Sequence, residues 1–124
     1  MTSPAFDVGP PARAVGVYVA LTIGTLIALI VLTSSAPGLA TDEAWGHAVV
    51  VAAFAVLLPL RLRAARRSRR ALQAVAVIAG VLVAVNVVEA ALPGVFPAWM
   101  RLEMVATAVV MVLVAFLTVR AGRR

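Results

Sequence analysis

A chain of 124 residues that is 64% hydrophobic and 13% charged is too apolar for a soluble domain of its size. With no cysteine, it has no disulfide, thiolate nucleophile or thiolate metal site of its own. The formal charge of +6 comes from eleven arginines and no lysine against five acids. Every basic cluster abuts an apolar run and lacks aromatic residues on which bases stack, which points away from nucleic acid.

Four apolar runs are each near the ~20 residues that a helix needs to cross a ~30 Å hydrocarbon core. Stretches such as AVVVAAFAVLLPL and AVAVIAGVLVAV do not alternate apolar with polar, so transmembrane strands are not expected. The predicted fold is all-α, a polytopic membrane protein of one domain with four transmembrane helices in a compact bundle. The predicted helices cover residues 14–34, 43–61, 71–92 and 98–119, with a basic loop at 61–70.

The first span follows a segment holding Pro4, Asp7, Pro10 and Pro11, with Arg13 as its one basic residue. Gly38-Leu39-Ala40 imitates a signal-peptide cleavage site, but the apolar run is longer than the usual signal core, so a retained helix is expected. Within it Tyr18, Thr22 and Thr25 make a polar stripe, and Gly16, Ala20, Gly24 and Ala28 recur every fourth residue. In the second span Ala44, Ala48 and Ala52 repeat that spacing, and Ala76, Gly80 and Ala84 do so in the third. Small residues let helix backbones approach in lipid, where no hydrophobic force drives helix against helix, so these positions read as packing seams within the bundle or between protomers.

Arg61, Arg63, Arg66, Arg67, Arg69 and Arg70 fall between the second and third spans, and Arg120, Arg123 and Arg124 close the sequence. Short basic loops stay in the cytoplasm during insertion, so both termini are expected there, with the arginines against anionic lipid head groups. Arginine without lysine, with abundant Ala and Val, suggests a GC-rich bacterial genome and hence a bacterial plasma membrane. The two halves also correspond. Pro37-Gly38-Leu39 parallels Pro93-Gly94-Val95, and Arg63-Ala64-Ala65-Arg66-Arg67 parallels Arg120-Ala121-Gly122-Arg123-Arg124, the pattern of a parallel repeat of two hairpins. Ten residues beyond each proline stand His47 and Glu103, each shortly after a tryptophan, Trp45 or Trp99.

The remaining polar residues gather near the acidic ends of the helices. His47, Glu89 and Glu103 are expected roughly 7 to 11 Å from the middle of their spans. Glu43 and His47, four apart, share a helical face, as do Asn86 and Glu89, three apart, and Thr107 follows Glu103 by four. On a helical wheel Asn86 and Glu89 point away from the Ala76/Gly80/Ala84 seam. An ionisable group at membrane depth is expensive and faces the bundle interior, paired or functional. Glu89, in the apolar stretch NVVEAALPG, is the first candidate for a proton carrier, and contact with Arg101 at the rim is its structural alternative. Glu43, His47 and an acid would also make a mixed nitrogen–oxygen set, a weak signal for a metal, and a single histidine rules out bis-histidine haem within one chain. No cofactor or metal is expected, and no serine has an acid–histidine pair in reach, so an enzyme is not expected either.

In size and helix count the chain resembles the small multidrug resistance transporters, which work as dimers around a membrane-buried glutamate of the first helix. The first span here holds no acid, so the residue that carries that family's mechanism has no counterpart, and a Glu89-centred exchanger is an analogy only. Two functions are expected in this order: an accessory or interaction subunit of a membrane assembly, bound to another membrane protein or to copies of itself, and an oligomeric proton-coupled or cation-handling carrier.

Overall fold

In a computed structural model that describes residues 6–123, four long helices follow one another with short connections. They are α1 (Gly9–Ser35), α2 (Asp42–Ala65), α3 (Arg69–Ala91) and α4 (Ala98–Gly122). Each is long and apolar enough to cross a membrane. Packing runs α1 on α2, α2 on α3, α3 on α4 and α4 back on α1, which closes a ring of antiparallel neighbours with α3 and α4 in the most extensive contact.

Local signals account for the helix starts. Pro10 lies in the first turn of α1, where its missing N–H costs no helical bond. Thr41 and Ser68 cap α2 and α3, their hydroxyls accepting from the backbone N–H of Ala44 and Ala71, each at 3.2 Å. Gly94, in the turn between α3 and α4, has φ of 71°, a conformation that glycine adopts without a Cβ clash. The matching glycine of the other turn, Gly38, sits instead in a short 3-10 helix (Pro37–Leu39), so the two Pro–Gly turns differ in backbone.

Several expected boundaries move, and α1 begins at Gly9 rather than at residue 14. The basic connection is not a ten-residue loop, because α2 continues to Ala65 and α3 begins at Arg69. Leu58, Leu62 and Ala65 carry one buried stripe past Arg61 and Arg63, and Ala71 and Leu72 bury the first turn of α3, so packing prolongs the helices through the charges. Arg61, Arg63, Arg69 and Arg70 therefore project from helix ends, and Arg66 and Arg67 lie in the turn itself. Similarly, α4 runs to Gly122 because Thr118 and Ala121 remain buried. Pro4 and Arg124 lie outside the described residues.

The core divides in two along the bundle. Toward the arginine-rich end Val15, Tyr18, Leu58, Val75 and Met111 belong to the larger apolar cluster. Toward the acidic end Leu29, Ala44, Ala48, Met100 and Met104 form the smaller one. The small-residue series separate by helix. Ala44 and Ala48 are buried inside the bundle. In α1, Gly16, Ala20 and Gly24 are exposed and Ala28 half-exposed, and in α3 Gly80 and Ala84 are exposed with Ala76 half-exposed. A Cβ added at Gly16, Gly24 or Gly80 would meet nothing within 4 Å, so the α1 and α3 series face outward.

Candidate functional site

Helical spacing turns one buried face of α2, Ala44, His47, Ala48 and Val51, toward the other helices. The same spacing places Leu82 and Asn86, then Glu89, on the inner side of α3, and Met100, Met104 and Thr107 beside Glu103 on α4. Where these faces meet, the imidazole of His47 lies between two carboxylates. Its Nδ1 is 2.8 Å from Glu89 Oε1 and its Nε2 3.2 Å from Glu103 Oε2. The Thr107 hydroxyl, one turn along α4, donates to Glu103 Oε1 at 2.8 Å. One line of contacts thus joins α3, α2 and α4. The Phe96 ring, at the turn before α4, meets the imidazole edge-on with centroids 5.9 Å apart.

Exposure orders the cluster. The His47 side chain is 1% exposed and that of Glu103 8%, whereas Glu89 is 22% exposed. Glu89 is therefore the end of the line that reaches the surroundings.

Hydrogen-bond counting gives the cluster its chemistry. A neutral imidazole has one N–H and one lone pair, so between two ionised carboxylates it satisfies one contact and sets a lone pair against the other. One added proton, making the imidazole a donor at both nitrogens, satisfies both contacts and leaves a net charge of −1. A second proton, or a cation beside a carboxylate, neutralises the cluster. The two acids approach opposite edges of the ring, so they share no point at which one ion is held. Among the described residues no group of three or more such side chains is placed to hold a metal ion.

Of the residues singled out in the sequence, His47, Glu89 and Glu103 come together and Glu43 does not. Glu43 is exposed in the first turn of α2 beside Asp42, where both acids favour the helix N-terminus. Its side chain starts a full turn nearer the end of the bundle than that of His47 and makes neither of the contacts that join His47 to the two acids. Asn86 is fully buried and its amide donates to Leu82 O at 2.8 Å, while its Oδ1 finds no partner. Arg101 meets the backbone instead of Glu89, donating to Ala90 O at 2.9 Å and so satisfying a carbonyl in the last turn of α3. Trp99 Nε1 donates to Leu39 O at 2.9 Å, which ties α4 to the first turn at this end. Tyr18, from the α1 stripe, donates its hydroxyl to Val51 O, and Thr22 and Thr25 donate to the carbonyls of Tyr18 and Leu21 in their own helix. Phe96 was not legible as a site residue; its place beside the Pro93-Gly94 turn was the available signal.

Comparison with protein-family models, with curated proteins and with solved structures finds no match to the chain. The functional reading accordingly rests on the geometry.

Proposed function

We propose that the chain is a small multi-pass protein of a bacterial plasma membrane, with both termini cytoplasmic, that exchanges protons for cations through the Glu89–His47–Glu103 cluster. The observation behind this reading is the His47 imidazole between two carboxylates from two other helices, at 2.8 and 3.2 Å. Groups of this kind at membrane depth are retained where a proton or ion is handled. With one proton on the imidazole the cluster keeps a net charge of −1, and either a second proton or a cation neutralises it. That competition is the exchange. Glu89, the more exposed acid, is the entry, and Thr107 steadies Glu103 at the buried end. A parallel two-hairpin repeat is favoured by the meeting of His47 with Glu103, its counterpart in the second half, and disfavoured by the different backbones of the two Pro–Gly turns.

The test uses everted membrane vesicles acidified inside and a fluorescent reporter of internal pH. Monovalent, divalent and organic cations are added in turn. At least one class is expected to release protons from vesicles holding the native chain, and none from vesicles holding Glu89→Gln or Glu103→Gln. Proton retention with every class, or equal release from both variants, contradicts the proposal.

A second reading has its own observation. The outward α1 and α3 series, with open space above Gly16, Gly24 and Gly80, suit close approach by other helices. On this reading the chain is an accessory subunit bound to another membrane protein or to copies of itself, and the His47 cluster is a pin that holds α2, α3 and α4 in register. Mass determination of the complex purified gently from its native membrane separates the two: a stoichiometric foreign partner favours the subunit.

A further inference from the structure

A second built feature lies at the other end of the bundle. Between the arginine-rich ends of α3 and α4 is a cleft of about 230 Å³, with Arg69, Gln73 and Arg123 among its polar lining. Arg69 is held in place there: its Nη2 donates to Gly122 O at 3.0 Å, and its guanidinium carbon stands 5.1 Å from the centroid of the Phe6 ring. α3 and α4 lie close at Gly122, where an added Cβ would come within 3.1 Å of Leu72 Cδ2. Thr118 also lines the cleft. Thr22, Thr25 and Thr33 donate to carbonyls one turn back and Thr107 donates to Glu103, yet the fully buried Thr118 hydroxyl has no partner. An unpaired hydroxyl away from water is costly, which marks this wall of the cleft as incompletely satisfied. A neighbouring cleft shares Val119 and Arg123 and adds Arg120 and Phe116, so a third guanidinium and more apolar surface adjoin the first.

We propose that this α3–α4 cleft binds the phosphate of an anionic membrane lipid. Arg69 and Arg123 meet the phosphate oxygens as charge-assisted donors, and Arg69 loses little freedom because Gly122 and Phe6 already orient it. Leu72, Ala76 and Val119, further along the same wall, receive the upper part of an acyl chain. A free phosphate has no use for that apolar wall, which is why a lipid is the ligand. The site is separate from the His47 cluster, which belongs to the opposite ends of these helices.

The purified full chain in neutral detergent provides the test. Its melting temperature is followed while phosphatidylglycerol, phosphatidylcholine or inorganic phosphate is added. A saturable rise is expected with phosphatidylglycerol alone. The Arg69→Gln, Arg123→Gln double variant should weaken it about thirtyfold, at roughly fivefold per basic contact. A control double variant, Arg61→Gln with Arg63→Gln, removes equal charge from α2 and should stay within about twofold of the native affinity. Arg123→Gln alone, which keeps the Arg69–Gly122 bond, guards against a folding defect and should weaken binding about fivefold. Equal weakening in both double variants would mean general attraction of charge, and an equal rise with inorganic phosphate would mean a free-anion site. Either result overturns the proposal.

Discussion

His47 Nδ1 stands 2.8 Å from Glu89 Oε1 although the two residues are 42 positions apart in the chain. The contact joins the buried face of α2 to the inner side of α3, and Glu103 extends it to α4 through the other ring nitrogen. Once protonated, one side chain thus satisfies two acids that lipid-facing helices could not carry without large cost. Stability at this end of the bundle and the proposed proton chemistry consequently depend on the same residue.

Replacing His47 by Leu leaves Glu89 and Glu103 without their shared partner. The expected loss is about 3 kcal/mol, the scale for breaking one side of a buried ion pair. Glu89→Gln keeps a hydrogen-bonding group in place and is expected to cost only about 1 kcal/mol. Reversible unfolding in mixed micelles checks both values, and equal effects from the two variants would mean that the contact contributes no charge interaction.

Tyr18 is fully buried in α1 and donates across to Val51 O of α2. Tyr18→Phe keeps the ring and removes the bond. A loss of roughly 0.6 kcal/mol is expected, the average for a hydrogen bond between membrane helices. The same unfolding measurement reads it.

Gly24→Leu and Gly80→Leu place large side chains where an added Cβ meets nothing within 4 Å. Both variants are expected to keep or slightly raise monomer stability, since Leu exceeds Gly in helix propensity by up to about 1 kcal/mol. If these faces seat another helix, each variant also releases the partner, which the mass of the purified complex reports. Destabilised monomers would show that the stripes pack within the bundle.

The orientation rests on nine of the ten arginines among the described residues, all but Arg101, which belong to one end of the bundle. A reporter that is active only outside the cytoplasm, fused behind the last residue, is expected to stay silent. Activity there would reverse the topology.

Composition and span length made the helix count readable, because four apolar runs of this length admit few arrangements. Charge was a poorer guide to helix ends. Arg61 and Arg63 look like loop in sequence, but Leu62 and Ala65 pack into the core on the opposite side of the same turns. The spacing of Asn86 and Glu89 on α3 marked an inward polar face, since periodicity within a helix is a local property. The partner of Glu89 was not legible: Arg101 and His47 were both within plausible reach, and the choice follows from how α2 rotates against α3. Glu43 shows the limit of the four-residue rule: it shares a helical face with His47 yet is exposed where His47 is buried. Arg69 and Gly122, 53 positions apart, carried no sequence signal of their contact.

The most direct test uses the fact that the chain has a single histidine, so a sample isotope-labelled at histidine gives the two ring-nitrogen signals of His47 alone. Nuclear magnetic resonance of that sample in lipid bilayers, recorded across pH, is expected to show both nitrogens hydrogen-bonded and titrating together. Glu89→Gln should perturb the Nδ1 signal first and Glu103→Gln the Nε2 signal first. Ring nitrogens that respond to neither substitution would contradict a proton shared along Glu89, His47 and Glu103.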